Sequence, residues 1–330
     1  MLVFTICSNN YLAQATVLGN SLKKHNPSYK FLIVLVDEKT DKIDYSKIDH
    51  EIIAISEIEP DITELAIKYN IIELNTCVKP KVFQYLIRER NAKKLVYFDP
   101  DIKIYSSLVE LELLLNENNI LLTPHVLTPI PFDNSAPSEN LFLNYGIYNL
   151  GFAAIKDSAE TLAFLSWWKD HTYKKGFKDV LNGIFVDQLP INLAPIFFKA
   201  VYIVRNPGYN MASWNLHERF LSNKNGVNYV NNSDKLFFYH FSSFKVDNIE
   251  LSFKGYWRFS LRNRPDLADI HNVYNDELKA ADYFLFKDIQ CKYSTDRCLQ
   301  QPSFKKKVIR TLQTRLKRVL NLERKGSWKD

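Results

Sequence analysis

The feature that most constrains the fold is a short apolar run, Leu95-Val96-Tyr97-Phe98, that stops abruptly at two carboxylates one residue apart, Asp99-Pro100-Asp101. An unbroken apolar run bounded by charge suits a strand buried on both faces, as in a parallel sheet. Such sheets receive ligands just beyond the carboxyl ends of their strands, so Asp99 and Asp101 are expected at the lip of a crevice. Period-two geometry sends both side chains to the same side, and Pro100 stiffens the turn between them. Two neighbouring carboxylates repel unless a cation or hydrogen-bond donors lie between them. A hard divalent cation takes one or two carboxylates and fills its remaining positions with water or phosphate oxygens. The pattern points to a metal–diphosphate site; the plainer alternative is a solvated acidic turn.

The flanking sequence repeats the strand-then-helix rhythm. Leu2–Cys7 reads as a buried strand, and Tyr11 to His25 has apolar residues at helical spacing and stops at Asn26-Pro27. Phe31–Val36 and His50–Ile55 read as strands, Ile62–Tyr69 and Leu74–Glu89 as helices, with Pro80 a break or first-turn residue in the latter. Beyond the carboxylates come a helix over Leu108–Leu115, a strand over Ile120–Thr123, a proline-rich loop from Pro124 to Asn140 and a strand-like run Ile147–Ile155. Ser158 is placed to cap a helix reaching Lys174; a shorter helix follows over Asp187–Phe198, and strands over Val201–Val204 and Leu236–Phe241. Alternating strands and helices predict an α/β fold with a mainly parallel sheet. Residues 251–303 carry little signal beyond aromatics and charge.

Composition narrows the function classes. The 330 residues are 46% hydrophobic, enough for a sizeable core and against disorder. Nine glycines are few, and neither G-x-G-x-x-G nor G-x-x-x-x-G-K occurs, so a phosphate-bearing ligand would rely on metal and side chains. Cys7, Cys77, Cys291 and Cys298 lack metal-binding spacing, which disfavours zinc and suits a reducing cytosol. Met1–Cys7 has no basic n-region and is too short for a signal peptide, so none is expected, and no apolar run approaches the ~18 residues of a membrane span. A cytoplasmic protein, soluble or peripheral, is expected. Residues 304–322 form a basic amphipathic pattern with Val308, Leu312, Leu316, Val319 and Leu320 on one face, suited to an anionic membrane surface. Nucleic acid is disfavoured because aromatic interleaving and nucleic-acid motifs are absent.

Separated motifs then fall in one order: Cys7-Ser8-Asn9-Asn10-Tyr11, Lys79-Pro80-Lys81, Asp99-Pro100-Asp101, Asn149-Leu150-Gly151-Phe152, Asp187-Gln188, Asn206-Pro207-Gly208 with Trp214-Asn215, and Tyr239-His240-Phe241. This order resembles that of GT-A-fold glycosyltransferases, most closely glycosyltransferase family 8 and its bacterial relatives, over roughly residues 1–245. The resemblance implies a Rossmann-like domain over about 1–250, with a nucleotide-binding half to about 105 and an acceptor half after it, and a C-terminal extension over 251–330. It implies Mn²⁺ or Mg²⁺ held by Asp99, Asp101 and His240, with a nucleotide-sugar, a UDP-sugar above all, as donor. Ser8, Asn9, Asn10 and Tyr11 match the nucleoside loop, and Lys81 a basic residue near the sugar-phosphate. Asn149 matches a position flanking the sugar, and Asp187 and Gln188 an acid–amide pair contacting it, Gln188 near the reacting carbon. The family retains anomeric configuration. Two positions depart from its pattern: Ser8 stands where an acidic residue is common, and a Lys-Pro-Trp after His240 is missing, Lys245, one position early, being the nearest basic residue for the family's diphosphate clamp.

Each position has a purely structural alternative. His240 among aromatics suits a satisfied core histidine, Asp187-Gln188 an N-terminal cap, Lys81 a solvated helix residue, Asn149-x-Gly151 a strand bulge, and Trp214 either core or an acceptor platform. His217 and Arg219 read as structural. At the level of the whole chain, the rivals are a catalytically inactive fold acting as a membrane-bound interaction partner, and a haloacid-dehalogenase-type phosphatase. The second expects Thr or Val where Lys103 stands.

Overall fold

The computed structural model describes residues 1–293. Seven strands form the main sheet: β1 (Leu2–Cys7), β2 (Lys30–Leu35), β3 (Glu51–Ala54), β4 (Lys94–Phe98), β6 (Ile120–Leu122), β7 (Phe152–Lys156) and the edge strand Val201–Ile203, while β5 (Ile102–Ile104) lies outside it. From the edge strand the order runs through β6, β7, β4, β1 and β2 to β3. Every pairing is parallel except those of β7, which runs antiparallel to both β4 and β6. The chain moves outward from β1 to β3 and returns to β4 on the other side of β1. That reversal opens a crevice beyond the ends of β1 and β4.

Burial on both faces explains the apolar runs. Val3 packs with Leu18, Leu22, Val96, Phe98 and Leu111 on one face. Phe4 and Ile6 face the other way, against Phe83, Leu86 and Trp168. The long helical pattern ending at Glu89 is two helices. Asn70 caps the first, Ile71–Cys77, accepting from the backbone amides of Ile72 and Glu73 while Glu73 accepts from Asn70. The second, Lys79–Glu89, carries Pro80 in its first turn, where no amide is needed. Ser158 caps the helix Ala159–Lys175 through a bond from the Thr161 amide.

Three expectations need correction. The proline-rich loop gives way to a helix at Glu139–Tyr145. The run from Ile147 becomes a strand only at Phe152, because Asn149–Gly151 turn to meet the end of β4. Asp187 precedes rather than enters a helix: a 3-10 turn over Leu189–Leu193 and a short helix Ala194–Phe197 follow it. The strand bearing His240, Phe238–His240, belongs to a small separate sheet with Met211–Ala212 and β5.

Residues beyond 250 also pack. The helix Ala268–Ala280 buries Ile270, Tyr274 and Leu278 in a cluster with Cys7, Leu12 and Phe241. Tyr274 stacks on Phe241 at 3.8 Å between ring centroids. The chain then crosses the end of β2, where Cys291 Sγ meets the Val36 carbonyl at 3.4 Å and the Lys292 amide donates to Asp37 at 2.9 Å. The basic pattern 304–322 and Cys298 lie outside the described residues. Among the described residues no helix is long and apolar enough to cross a membrane.

Candidate functional site

Backbone pairing brings the two aspartates and the distant histidine together. The Asp99 amide donates to the Gly151 carbonyl at 2.7 Å, extending the β4–β7 ladder by one residue. The Ile102 amide donates to the Asp99 carbonyl at 3.1 Å and closes the turn over Pro100. β5 then pairs antiparallel with Phe238–His240, placing His240 opposite Ile102, and the Phe241 amide donates to Asp101 at 2.8 Å. His240 Nε2 lies 3.0 Å from Asp101 Oδ1 and 3.8 Å from Asp99 Oδ2. One ligand atom from each of the three residues falls within a 4.8 Å span.

This spacing is close to that of ligands around a divalent cation and needs only a small inward movement to reach it. At metal–ligand distances of ~2.1 Å, adjacent octahedral ligands are ~3.0 Å apart and opposite ones ~4.2 Å. Two carboxylates and one imidazole would leave further positions for outside oxygens. The aspartate side chains are 33% and 21% exposed whereas His240 is only 5% exposed, so the group opens to solvent on its carboxylate side. Burial pushes the His240 imidazolium acidity one way, but Asp101 and Asp99 outweigh it and raise the pKa above the ordinary histidine value. His240 Nδ1 has no hydrogen-bond partner among the described residues, and Trp214 meets its ring edge to face at 5.1 Å. Trp214 is itself buried, a wall behind the imidazole rather than an exposed platform. Tyr97 donates to Asp99 Oδ1 at 2.5 Å; burial first, then Asp99, holds that phenol protonated far above its usual range.

Gly151 is where this arrangement is tightest. A Cβ there would stand 2.5 Å from His240 Cε1 and 2.9 Å from both Asp99 Oδ2 and Asn149 Oδ1. Only a hydrogen fits. Asn149 is held on both sides: its Nδ2 donates to His125 Nε2 at 3.2 Å and its Oδ1 accepts from Asn210 at 3.2 Å. His125 Nδ1 donates to the Ile147 carbonyl at 3.1 Å, which fixes the tautomer, and burial lowers the His125 pKa to about 4.

A second charged group lies deeper. Lys79 Nζ donates to Asp187 Oδ2 at 2.6 Å and to the Leu150 carbonyl at 2.8 Å, 4.3 Å above the Tyr97 ring. Both side chains are at most 3% exposed. Burial raises the Asp187 pKa, and the neighbouring Lys79 opposes that rise. Val186, just before it, has φ +38°, a costly conformation for a β-branched residue and one common at functional sites. Gln188 is tied at both ends, accepting from the Leu150 amide at 3.0 Å and donating to the Tyr145 carbonyl at 2.8 Å.

The remaining expected residues divide. Ser8 donates to Asn10 at 2.7 Å, and Asn9 turns into the wall: its amide donates to Asp37, its Nδ2 to the Glu38 carbonyl, and its Oδ1 accepts from Tyr45 at 2.6 Å. Asn10, Tyr11 and Lys245 line a small cavity with Asp101. Burial, then Asp101, raises the Tyr11 phenol to about 12. Lys81 is half-buried, and the lysine that reaches the cluster is Lys79, two residues earlier. Arg219 is structural as expected, donating to the carbonyls of Pro207 and Tyr209 at 3.0 and 2.6 Å.

Fold and site together describe an α/β protein with a carboxylate–imidazole group ready for a cation at the reversal point of its sheet. No family model matches the sequence. The chain is 24% identical over 287 residues to the Bacillus subtilis (strain 168) uncharacterized protein YfnF, spanning 83% of this chain and 90% of that one. It is similar in structure to the galactosyltransferase LgtC solved with donor and acceptor sugar analogs, at 15% identity and TM-score 0.39, over 64% of this chain and 76% of that one. It is also similar to a glycosyltransferase involved in glycosylation of the major capsid of PBCV-1, at 7% identity and TM-score 0.42, over 85% of this chain and all (100%) of that one.

Proposed function

We propose that the protein is a metal-dependent glycosyltransferase of the GT-A type, related to family 8, moving a hexose from a nucleotide-sugar to a glycan or glycolipid acceptor. The observation that carries this reading is the convergence of Asp99, Asp101 and His240 in the crevice at the sheet's reversal point. UDP is the favoured nucleotide and retention the favoured outcome, both by the motif order over residues 1–245. The carboxylate-rich set with one imidazole favours Mn²⁺ over the harder Mg²⁺. Such a cation, when bound, acts as a Lewis acid on a leaving diphosphate.

The chain's own groups do the rest. Asp99 and Asp101 supply the charge that holds the cation, and His240 ligates as the neutral imidazole through Nε2, the nitrogen that faces them. Asn149, fixed by His125 and Asn210, flanks the place of the donor sugar. Asp187, hydrogen-bonded to Lys79, orients a sugar hydroxyl, while Gln188 keeps Leu150 in register beside it. A pre-set arrangement of charge around a departing anion is usually the largest part of catalysis. A cytoplasmic site peripheral to the inner membrane face, through residues 304–322, and a role in cell-surface polysaccharide synthesis complete the proposal.

Release of UDP from UDP-glucose and UDP-galactose, with and without Mn²⁺, tests it. Turnover should require the metal and fall at least ~100-fold in Asp101→Ala. No turnover, no nucleotide binding and indifference to Asp101→Ala would remove the reading.

A further inference from the structure

The cavity beside Asp101 has a volume of about 120 Å³. A cavity of that size has room for phosphate oxygens. Besides Asp101, its walls come from three distant parts of the chain: Asn10 and Tyr11 after β1, Lys245 after His240, and Tyr283 and Lys287 near the end of the described residues. Two of these are lysines, and charge balance gives them a task. Asp99 and Asp101 together neutralise a divalent cation, which leaves the two negative charges of a nucleotide-sugar diphosphate unmatched. Lys245 and Lys287 match them.

Lys287 is held at the cavity from both sides. Upstream, the helix Ala268–Ala280 is anchored through Tyr274 on Phe241, and Asp282 at φ +61° turns the chain into the short helix Tyr283–Phe286. The Lys287 amide donates to the Tyr283 carbonyl at 2.9 Å. Downstream, Cys291 and Lys292 fasten to Val36 and Asp37 at the end of β2. The Lys287 ammonium makes only loose, exposed contacts among the described residues: it lies 5.2 Å from the centroid of the exposed Phe284 ring and 3.8 Å from Asp288, which is 82% exposed. An exposed pair of that kind contributes little, so the ammonium is free to turn to a better anion.

We propose that Lys287 is a donor-binding residue that, with Lys245, holds the diphosphate of the nucleotide-sugar, making residues 283–293 a wall of the site. This rests on the transferase reading above. The test is calorimetry of the full chain in Mn²⁺ with the tightest binder among UDP, GDP and ADP and with its monophosphate. The wild-type preference for diphosphate over monophosphate should shrink about tenfold or more in Lys287→Ala and largely return in Lys287→Arg, with the melting temperature unchanged. A preference unchanged in Lys287→Ala, or equal weakening of both nucleotides, overturns the proposal while leaving the transferase reading intact. Wild-type protein that binds no nucleoside diphosphate overturns both.

Discussion

Two carboxylate–cation arrangements share this crevice and solve the same electrostatic problem in opposite ways. Asp187 is sealed from water and is met by the chain's own Lys79. Asp99 and Asp101 remain partly open, with His240 3.0 Å from Asp101 and 3.8 Å from Asp99. A buried ion pair is self-sufficient, and breaking it strands a charge. An open carboxylate pair is incomplete and gains most from an ion supplied by solution. The first arrangement is complete within the chain; the second is open to an ion from outside it.

The sharpest way to break this contrast is to delete one member of each. Lys79→Met should lower stability by about 3–5 kcal/mol in urea denaturation, because Asp187 is left buried and unpaired. Asp101→Asn should change stability by less than ~1 kcal/mol yet abolish Mn²⁺ binding. Equal destabilisation by the two would erase the distinction. Next in size, Gly151→Ala forces a methyl group onto His240, Asp99 and Asn149, a strain of about 1–3 kcal/mol. It should weaken Mn²⁺ binding although no ligand is changed; unaltered metal affinity would show that the cluster tolerates displacement.

The smallest effect concerns acid. His271, ringed by Tyr239, Phe241 and Phe253, has its pKa lowered to about 4 by burial, with its bond to the Leu267 carbonyl and nearby Asp266 opposing and Arg264 reinforcing that shift. Its unfolded pKa is about 6.5. Between these values the unfolded chain binds more protons, so the stability this residue permits is complete above pH ~6.5 and is lost as pH falls toward 4, at up to ~1.4 kcal/mol per pH unit. His271→Gln should flatten the fall in melting temperature between pH 7 and pH 5, leaving the share due to His125. A slope identical to wild type would assign the acid sensitivity elsewhere.

The parallel half of the sheet was legible because residues buried on both faces write continuous apolar runs, as in Phe4–Cys7 and Leu95–Phe98. The meeting of Asp99, Asp101 and His240 has the same root: the aspartates end such a run, and His240 sits in another. Lys79 was not. Lys79 and Lys81 flank Pro80 in the first turn of one helix, and helical spacing does not say which of two lysines faces inward. β5 is three residues long, too short for any periodic signal. The helix Ala268–Ala280 was hidden because its buried face includes His271 and Asn275, residues that read as solvated.

The third member of the metal group also has a bearing on assembly of the molecule. His240 reaches Asp101 only after β5 has found Phe238–His240, a pairing between segments far apart in the chain. An ion that requires all three residues therefore binds the finished fold and not its precursors, adding RT ln(1 + [M]/Kd) to the native state alone. Under the proposed function, the cation would mark completion of the fold as well as assist transfer, raising the melting temperature before any sugar is present.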